Sequence, residues 1–168
     1  MQRLIIWGGC GHGKTILGKQ ISEILNIPAY DLDKLTFNKD FTGKVSDSLR
    51  DKRLKNVIKN KSWLIEGAYA GDWLFPAVKK SDFIIILNVN PITATKRVIV
   101  RFIKRKIKKT RGKGGPLTDL PRIMKYAYGY TSDYYPKHIA LARQFKKDYI
   151  ILKNNHEINN FLTNLKCK

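Results

Sequence analysis

The sequence predicts an α/β fold in which helices cover both faces of a parallel sheet. Short apolar runs rich in β-branched and aromatic residues alternate with longer segments of helical periodicity throughout the 168 residues. These runs are apolar at successive positions, which is typical of strands buried on both sides. A glycine-rich stretch also separates the first run from the first helical segment. Because this length suffices for one ordinary core but not for two, we expect a single domain spanning residues 1–168.

The first half of the chain supplies three predicted strands and two helices. Residues 3–7 are apolar on both sides, so they should form a central strand of the sheet. Residues 14–25 carry an apolar stripe at helical spacing and are predicted to form the first helix. Two further strands, at 28–33 and 63–66, flank a second helix at about 45–59.

The second half adds two strands, which bring the predicted sheet to five, and most of the helical residues. Residues 83–89 form the clearest strand, and Asn90 and Pro91 then provide the cap and first turn of a long basic helix. Glycines and a proline at 112–116 should end that helix at about residue 109. The remaining predicted elements are a helical region at about 120–145, interrupted near Gly129 and Pro136, a strand at 149–152 and a helix at 157–165.

The glycine-rich stretch carries the most specific signal in the chain. Residues 8–15 read Gly-Gly-Cys-Gly-His-Gly-Lys-Thr and match G-x-x-x-x-G-K-[ST] at every fixed position, between a strand and a helix. Glycines allow the backbone to curl so that successive N–H groups point at a phosphate, and the helix N-terminus adds further amides and a favourable dipole. The motif therefore predicts an ATP-binding loop and, with the strand pattern, a three-layer P-loop NTPase fold.

Each loop residue has a predicted role. Lys14 should reach the β- and γ-phosphates, and the hydroxyl of Thr15 should hold Mg²⁺. Cys10 and His12 occupy variable positions, where we expect their side chains to fill the loop; a thiol at a helix N-terminus can alternatively sense oxidants. The residues predicted to contact the bound nucleotide are Gly8, Gly9, Gly11, His12, Gly13, Lys14, Thr15 and Ile16.

Composition limits the compartment and the partners. The 33 basic and 13 acidic residues give a net charge of +20, which favours weak, non-specific binding of nucleic acid. Abundant lysine, isoleucine and asparagine are also what AT-rich codons produce, so the charge has two explanations. No signal peptide, membrane-length apolar run or disulfide framework is evident, which predicts a cytoplasmic protein without a membrane partner. A monomer and a homodimer both remain open.

Stretches outside the loop occur in an order shared with a known superfamily. They are residues 30–35 at the end of the second strand, residues 63–69 (Trp-Leu-Ile-Glu-Gly-Ala-Tyr) around the third, and arginines at 97–105 after the fourth. With the loop, this order resembles the nucleoside monophosphate kinase and shikimate kinase superfamily. It most closely resembles the adenylate-kinase-related bacterial group described as DNA topology modulation proteins. The resemblance covers about residues 1–110.

The resemblance implies roles for three carboxylates. Asp33 would receive or orient the acceptor hydroxyl as a catalytic residue. Asp31 would bind Mg²⁺ through water or merely cap the turn, and Glu66 would hold a water bound to Mg²⁺, although relatives often carry Asp there. We expect only one of Asp31 and Asp33 to face the site, and the sequence leaves open which. Both could instead end the strand and cap the next segment of the chain.

A basic helical lid is predicted at about residues 97–122. Arg97, Arg101 and Arg105 share one helix face by their spacing, and no acidic residue occurs between positions 83 and 118. Such a helix repels itself unless it is solvated or an anion neutralises it, and its place after the fourth strand favours the anion. The resemblance puts a phosphate-closing lid here, with Arg101 and Arg105 neutralising transition-state charge. Its flexible tip would contain Gly112, Gly114 and Gly115.

The leading functional prediction is a small ATP- and Mg²⁺-dependent kinase that transfers the γ-phosphoryl group to a nucleotide or another small acceptor. A nucleic acid end kinase is the first alternative. A nucleotide-binding, nucleic-acid-associated regulator without kinase activity is the second. The sequence contains no helix-turn-helix, zinc ligand set or RNA-binding aromatic signature, which weakens the second alternative.

Overall fold

The computed structural model describes residues 2–107 and 120–167, with the backbone alone at 105–107. Its centre is a five-stranded sheet in the order β2-β3-β1-β4-β5, and all four strand pairings are parallel. This arrangement confirms the predicted parallel sheet. The strands are β1 (Arg3–Trp7), β2 (Ala29–Asp31), β3 (Trp63–Gly67), β4 (Phe83–Leu87) and β5 (Tyr149–Leu152).

Helices connect the strands and flank the sheet. A 3₁₀ turn (Asp72–Leu74) precedes the fourth of them. The helices are α1 (Lys14–Leu25), α2 (Leu32–Thr36), α3 (Asp47–Ile58), α4 (Phe75–Lys80), α5 (Pro91–Ile107), α6 (Leu120–Asp133), α7 (Tyr135–Gln144) and α8 (Asn155–Lys166).

The two faces of the sheet bury separate cores, because successive residues of a strand point to opposite sides. On β1, Leu4 and Ile6 pack with residues of α1 and α8. Ile5 and Trp7 pack on the opposite face with residues of α3, α4 and α7. The central strand is therefore apolar at successive positions, as its sequence predicted. It ends at the middle of the carboxyl edge of the sheet, where the C-terminal ends of the parallel strands lie together.

Two predictions about local structure were wrong. The second strand ends at Asp31 rather than at residue 33, because the Asp31 side chain caps a short helix by accepting from the Asp33 backbone N–H at 2.9 Å. Gly129 does not interrupt α6. The break falls between α6 and α7, where Pro136 occupies the first turn of α7 and needs no helical N–H partner.

The predicted lid lies only partly within the described residues. Its first part belongs to α5, and its last part begins α6 at Leu120. The side chain of Arg105 and all of Gly112, Gly114 and Gly115 lie outside the described part of the chain. Among the described helices, none combines the length and the hydrophobicity that crossing a membrane requires.

Candidate active site

The glycine-rich loop leaves the central strand at the carboxyl edge of the sheet, where parallel α/β folds place their ligand sites. It is tied to the neighbouring strand by a hydrogen bond from the Gly8 N–H to the Gly67 carbonyl, at 3.2 Å. The loop ends at Gly13, which has φ +92° and forms the N-cap of α1. Within the described chain no side chain caps this helix, so its first turn presents backbone amides, as a phosphate site requires.

Packing around the loop excludes side chains at two of its glycines. A Cβ atom at Gly11 would lie 2.2 Å from the carbonyl oxygen of Ala94 in α5, and φ there is +78°. A Cβ atom at Gly9 would lie 2.8 Å from the side chain of Tyr130 in α6. The loop is therefore packed against both α5 and α6. These two helices contain the described ends of the predicted lid.

Lys14 and Thr15 follow Gly13 in the first turn of α1. The Lys14 ammonium donates to the carbonyl of Gly9 at 2.9 Å and so lies across the loop. The Thr15 hydroxyl donates to Oε2 of Glu66 at 3.1 Å, and Glu66 is buried. Ile16, also predicted to contact nucleotide, lies in the first turn of α1 with a largely exposed side chain.

The pair of Thr15 and Glu66 suits a magnesium ion. Mg²⁺ prefers oxygen ligands and usually retains several waters, so one hydroxyl with a carboxylate behind it is an appropriate set. Asp31 pairs in register with Glu66 on the adjacent strand, which brings both carboxylates to the same sheet edge. The contact of the Asp31 side chain with the Asp33 N–H supports its predicted alternative as a cap. Among the described residues, no cluster of three His, Cys, Asp or Glu side chains forms a separate metal site.

His12 fastens the loop to the fourth strand. Its ring is fully buried, and Nδ1 donates to the carbonyl of Leu87 at 2.9 Å. The ring also meets Tyr130 edge-on, with centroids 4.6 Å apart. Burial lowers the pKa of His12 to about 4, so the ring is neutral at neutral pH. The prediction that His12, like Cys10, merely fills a variable position was wrong for His12.

Asp33 lies in the first turn of α2, beside the strand edge that carries Asp31. Its Oδ1 accepts a hydrogen bond from the Tyr69 hydroxyl at 3.0 Å. The Tyr69 ring packs edge-on against Trp73, with centroids 5.7 Å apart. Asp31 and Asp33 do not share a strand, because β2 ends at Asp31 and Asp33 belongs to α2.

A buried hydrogen-bonded pair lies behind Tyr69. The Tyr130 hydroxyl is 2.9 Å from Nδ1 of His138, and Nε2 of His138 is 3.1 Å from the backbone carbonyl of Tyr69. The His138 ring stacks on Trp7 at 4.5 Å. Burial lowers the pKa of His138 to about 4. The carbonyl requires a donor, so Nε2 carries the proton and Nδ1 accepts from Tyr130.

The arginines of α5 occupy different environments. Arg97 donates to the carbonyl of Gly11 at 3.3 Å and to Oδ1 of Asn155 at 3.0 Å, which ties α5 to the loop. The side chain of Arg101 is exposed. The side chain of Arg105 lies outside the described part, so the catalytic roles of Arg101 and Arg105 stay predictions.

Sequence reasoning did not assign a role to Tyr69, Tyr130 or His138. Tyr69 was visible as the last residue of the motif around the third strand, although the motif carried no role for it. Tyr130 is buried, so its ring serves packing around the loop. His138 gave no sequence signal, because its partners are 8 and 69 residues away.

Comparison with known proteins identifies the fold. No family model matches the chain, and no curated protein matches it by sequence. Among solved structures, a shikimate kinase from Bacteroides thetaiotaomicron is similar over 98% of this chain and 96% of its own, with a TM-score of 0.60 and 20% identity. Likeness at this identity shows a shared architecture. The chain therefore has the P-loop NTPase fold that its sequence predicts.

Proposed function

We propose that this protein is an ATP-dependent phosphotransferase that moves the γ-phosphoryl group to a small acceptor. The observation that carries the proposal is the hydrogen bond between Thr15 and Glu66 beside a complete phosphate loop. Asp31 pairs with Glu66 across adjacent strands, and Asp33 follows two residues later. The phosphate loop and a carboxylate that could orient the acceptor thus lie along the same edge of the sheet. Phosphoryl transfer between two bound substrates requires that proximity.

In this proposal some residues hold the substrates and others orient or neutralise the reacting groups. The amides of the loop and Lys14 hold the phosphates of ATP. Thr15, with Glu66 behind it, would hold Mg²⁺, which neutralises phosphate charge when it is bound. Asp33 orients the acceptor hydroxyl or receives its proton, and Arg101, with Arg105, neutralises charge on the transferred group.

The acceptor is a small hydroxyl or phosphate compound in this proposal, and a nucleotide is one member of that class. Support comes from the shared architecture with a shikimate kinase and from the resemblance of the loop and strand ends to nucleoside monophosphate kinases. A screen of ATP consumption against nucleosides, nucleotides, sugars and 5′-hydroxyl oligonucleotides would identify the acceptor, and turnover of the oligonucleotides alone would favour a nucleic acid end kinase.

The loop itself is tested by Lys14→Ala, with Lys19→Ala on the exposed side of the same helix as the control. Calorimetric titration with ATP and Mg²⁺ should show greatly weakened binding in Lys14→Ala and unchanged binding in Lys19→Ala. Phosphoryl transfer should be lost only in Lys14→Ala, while the urea midpoints of both variants stay close to that of the unmodified protein. Equal ATP affinity in the two variants would remove the loop from the mechanism.

A further inference from the structure

We propose that Tyr69 is a positioning residue for the reaction, which orients the carboxylate of Asp33 toward the acceptor. The inference rests on the proposed phosphotransferase function and assigns a role to a residue beyond the loop and the lid. Its basis is the hydrogen bond of 3.0 Å from the Tyr69 hydroxyl to Oδ1 of Asp33. Asp33 itself is exposed, and an exposed carboxylate adopts one orientation only when a neighbour holds it.

The Tyr69 hydroxyl can act only as a donor toward this carboxylate. A carboxylate accepts hydrogen bonds and does not donate them, so the shared proton belongs to the phenol. Burial, with the nearby charge of Asp33, raises the pKa of Tyr69. The phenol therefore stays protonated over the working pH range of proteins, and the contact is a hydrogen bond to a charged acceptor. Such a bond is directional, so it restricts the rotation of the Asp33 side chain.

Tyr69 is in turn held at its backbone and its ring. His138 donates from Nε2 to the Tyr69 carbonyl at 3.1 Å, and Trp73 meets the ring edge-on. His138 is fully buried, stacks on Trp7 and accepts from the Tyr130 hydroxyl. A carbonyl bonded to a buried ring cannot move without breaking that bond, so the support behind Tyr69 is rigid.

The same support reaches the phosphate loop. Tyr130 contacts His12 edge-on and leaves no room for a side chain at Gly9. Tyr130 thus touches the loop with one part of its ring and holds His138 with its hydroxyl. Asp33 and the phosphate loop are consequently both positioned by the buried pair of Tyr130 and His138. This pair fixes the Asp33 carboxylate relative to the phosphates that the loop would bind. In-line transfer depends on that relative position.

A double-mutant cycle with Tyr69→Phe and Asp33→Asn tests the proposal. Phe keeps the ring that packs on Trp73 and removes only the hydroxyl. We expect Tyr69→Phe to lower kcat by about tenfold to a hundredfold, the usual value of a hydrogen bond to a charged group, with the KM for ATP unchanged. If Tyr69 acts through Asp33, Tyr69→Phe should have little further effect in the Asp33→Asn background. Tyr149→Phe is the matched control, because it removes a phenol that bonds to Arg143 on the outer strand β5.

Three outcomes would overturn the inference and leave the proposed function standing. An unchanged kcat in Tyr69→Phe would show that the hydroxyl does not orient the carboxylate. Independent, additive losses in the double variant would show that Tyr69 acts by another route. Loss of ATP binding or of the urea transition in Tyr69→Phe would show that the hydroxyl serves the fold instead. Absence of any acceptor turnover in the unmodified protein, with ATP binding intact, would instead remove the proposed function and this inference with it.

Discussion

The phosphate loop and the cluster around Asp33, which consists of Asp33, Tyr69 and His138, lie on the same edge of the sheet. The two regions are built in different ways. The loop consists of eight consecutive residues, and its shape depends on backbone dihedral angles and on the helices packed against it. The cluster around Asp33 consists of side chains from distant segments. Tyr69 lies 36 residues after Asp33, and His138 lies 69 residues after Tyr69.

The difference explains why one half of the site is legible in the sequence and the other is not. Every nucleoside triphosphate offers the same chain of three phosphates, so a short contiguous motif of backbone amides can bind it. Acceptors differ, and their recognition uses side chains that only the tertiary fold brings together. Under the proposed function, recognition of phosphate would therefore be a local property of this chain, whereas selection of the acceptor would be a property of the whole fold.

The largest effect is expected where backbone packing defines the loop. Gly11→Ala places a Cβ atom 2.2 Å from the Ala94 carbonyl at a φ of +78°, and strain with overpacking should cost about 2–5 kcal/mol of unfolding free energy. Gly13→Ala is the matched control, because φ is also positive there but nothing lies within 4 Å of the added atom. We expect it to cost only about 1–2 kcal/mol. Urea denaturation measures both.

Equal losses of stability in the two glycine variants would contradict this account of the loop. Such a result would mean that dihedral strain alone, and not the contact with α5, decides the tolerance of the loop. ATP titration of each folded variant would then show whether the displaced backbone still binds phosphate.

The next largest effect is on the pH dependence of stability, and it involves both regions. His12 belongs to the loop and His138 supports Tyr69, and burial lowers the pKa of each from 6.5 to about 4. Between those values the unfolded chain binds the protons and the folded chain does not, so stability falls as the pH falls. From pH 7 to pH 5 each histidine should cost roughly 2 kcal/mol of unfolding free energy.

Urea unfolding at the two pH values measures this loss. His12→Gln and His138→Gln should each remove about half of the acid-dependent loss attributed to the pair. His156→Gln, which replaces an exposed histidine of α8 outside both regions, is the matched control. A pH dependence that survived in the double variant of His12 and His138 would assign the loss to other groups.

The smallest effect is expected at the cap of α2. Asp31→Ala removes the acceptor for the Asp33 N–H and should cost about 1 kcal/mol of stability. Ser46→Ala, which removes the equivalent cap of α3, is the control. We expect acceptor turnover to fall only in Asp31→Ala, because α2 carries Asp33, while the affinity for ATP stays unchanged. Weakened Mg²⁺-dependent ATP binding in Asp31→Ala would instead favour the alternative in which Asp31 binds the metal through water.

The sequence predicted the features that a run of consecutive residues encodes. The apolar pattern of β1 and the glycine motif were sufficient to predict a central strand and a phosphate loop. Helices α2 and α4 were missed because five and six residues are too few to show helical periodicity. The role of His12 was missed because its partner, the Leu87 carbonyl, lies 75 residues away in sequence. Contacts of that kind depend on the strand order, which the hydrophobic pattern does not specify.

The central position of β1 has a consequence for the synthesis of the chain. β1 and the loop leave the ribosome before the strands beside β1, because those strands are β3 and β4, which come after residue 62. The loop also packs against Tyr130, so its surroundings are complete only after Tyr130 has emerged. Contacts between residues so distant in sequence form late, and they slow the folding of the chain. The loop is therefore synthesised well before it can acquire its native shape, and under the proposed function nucleotide binding by a nascent chain would report folding of the chain as far as α6.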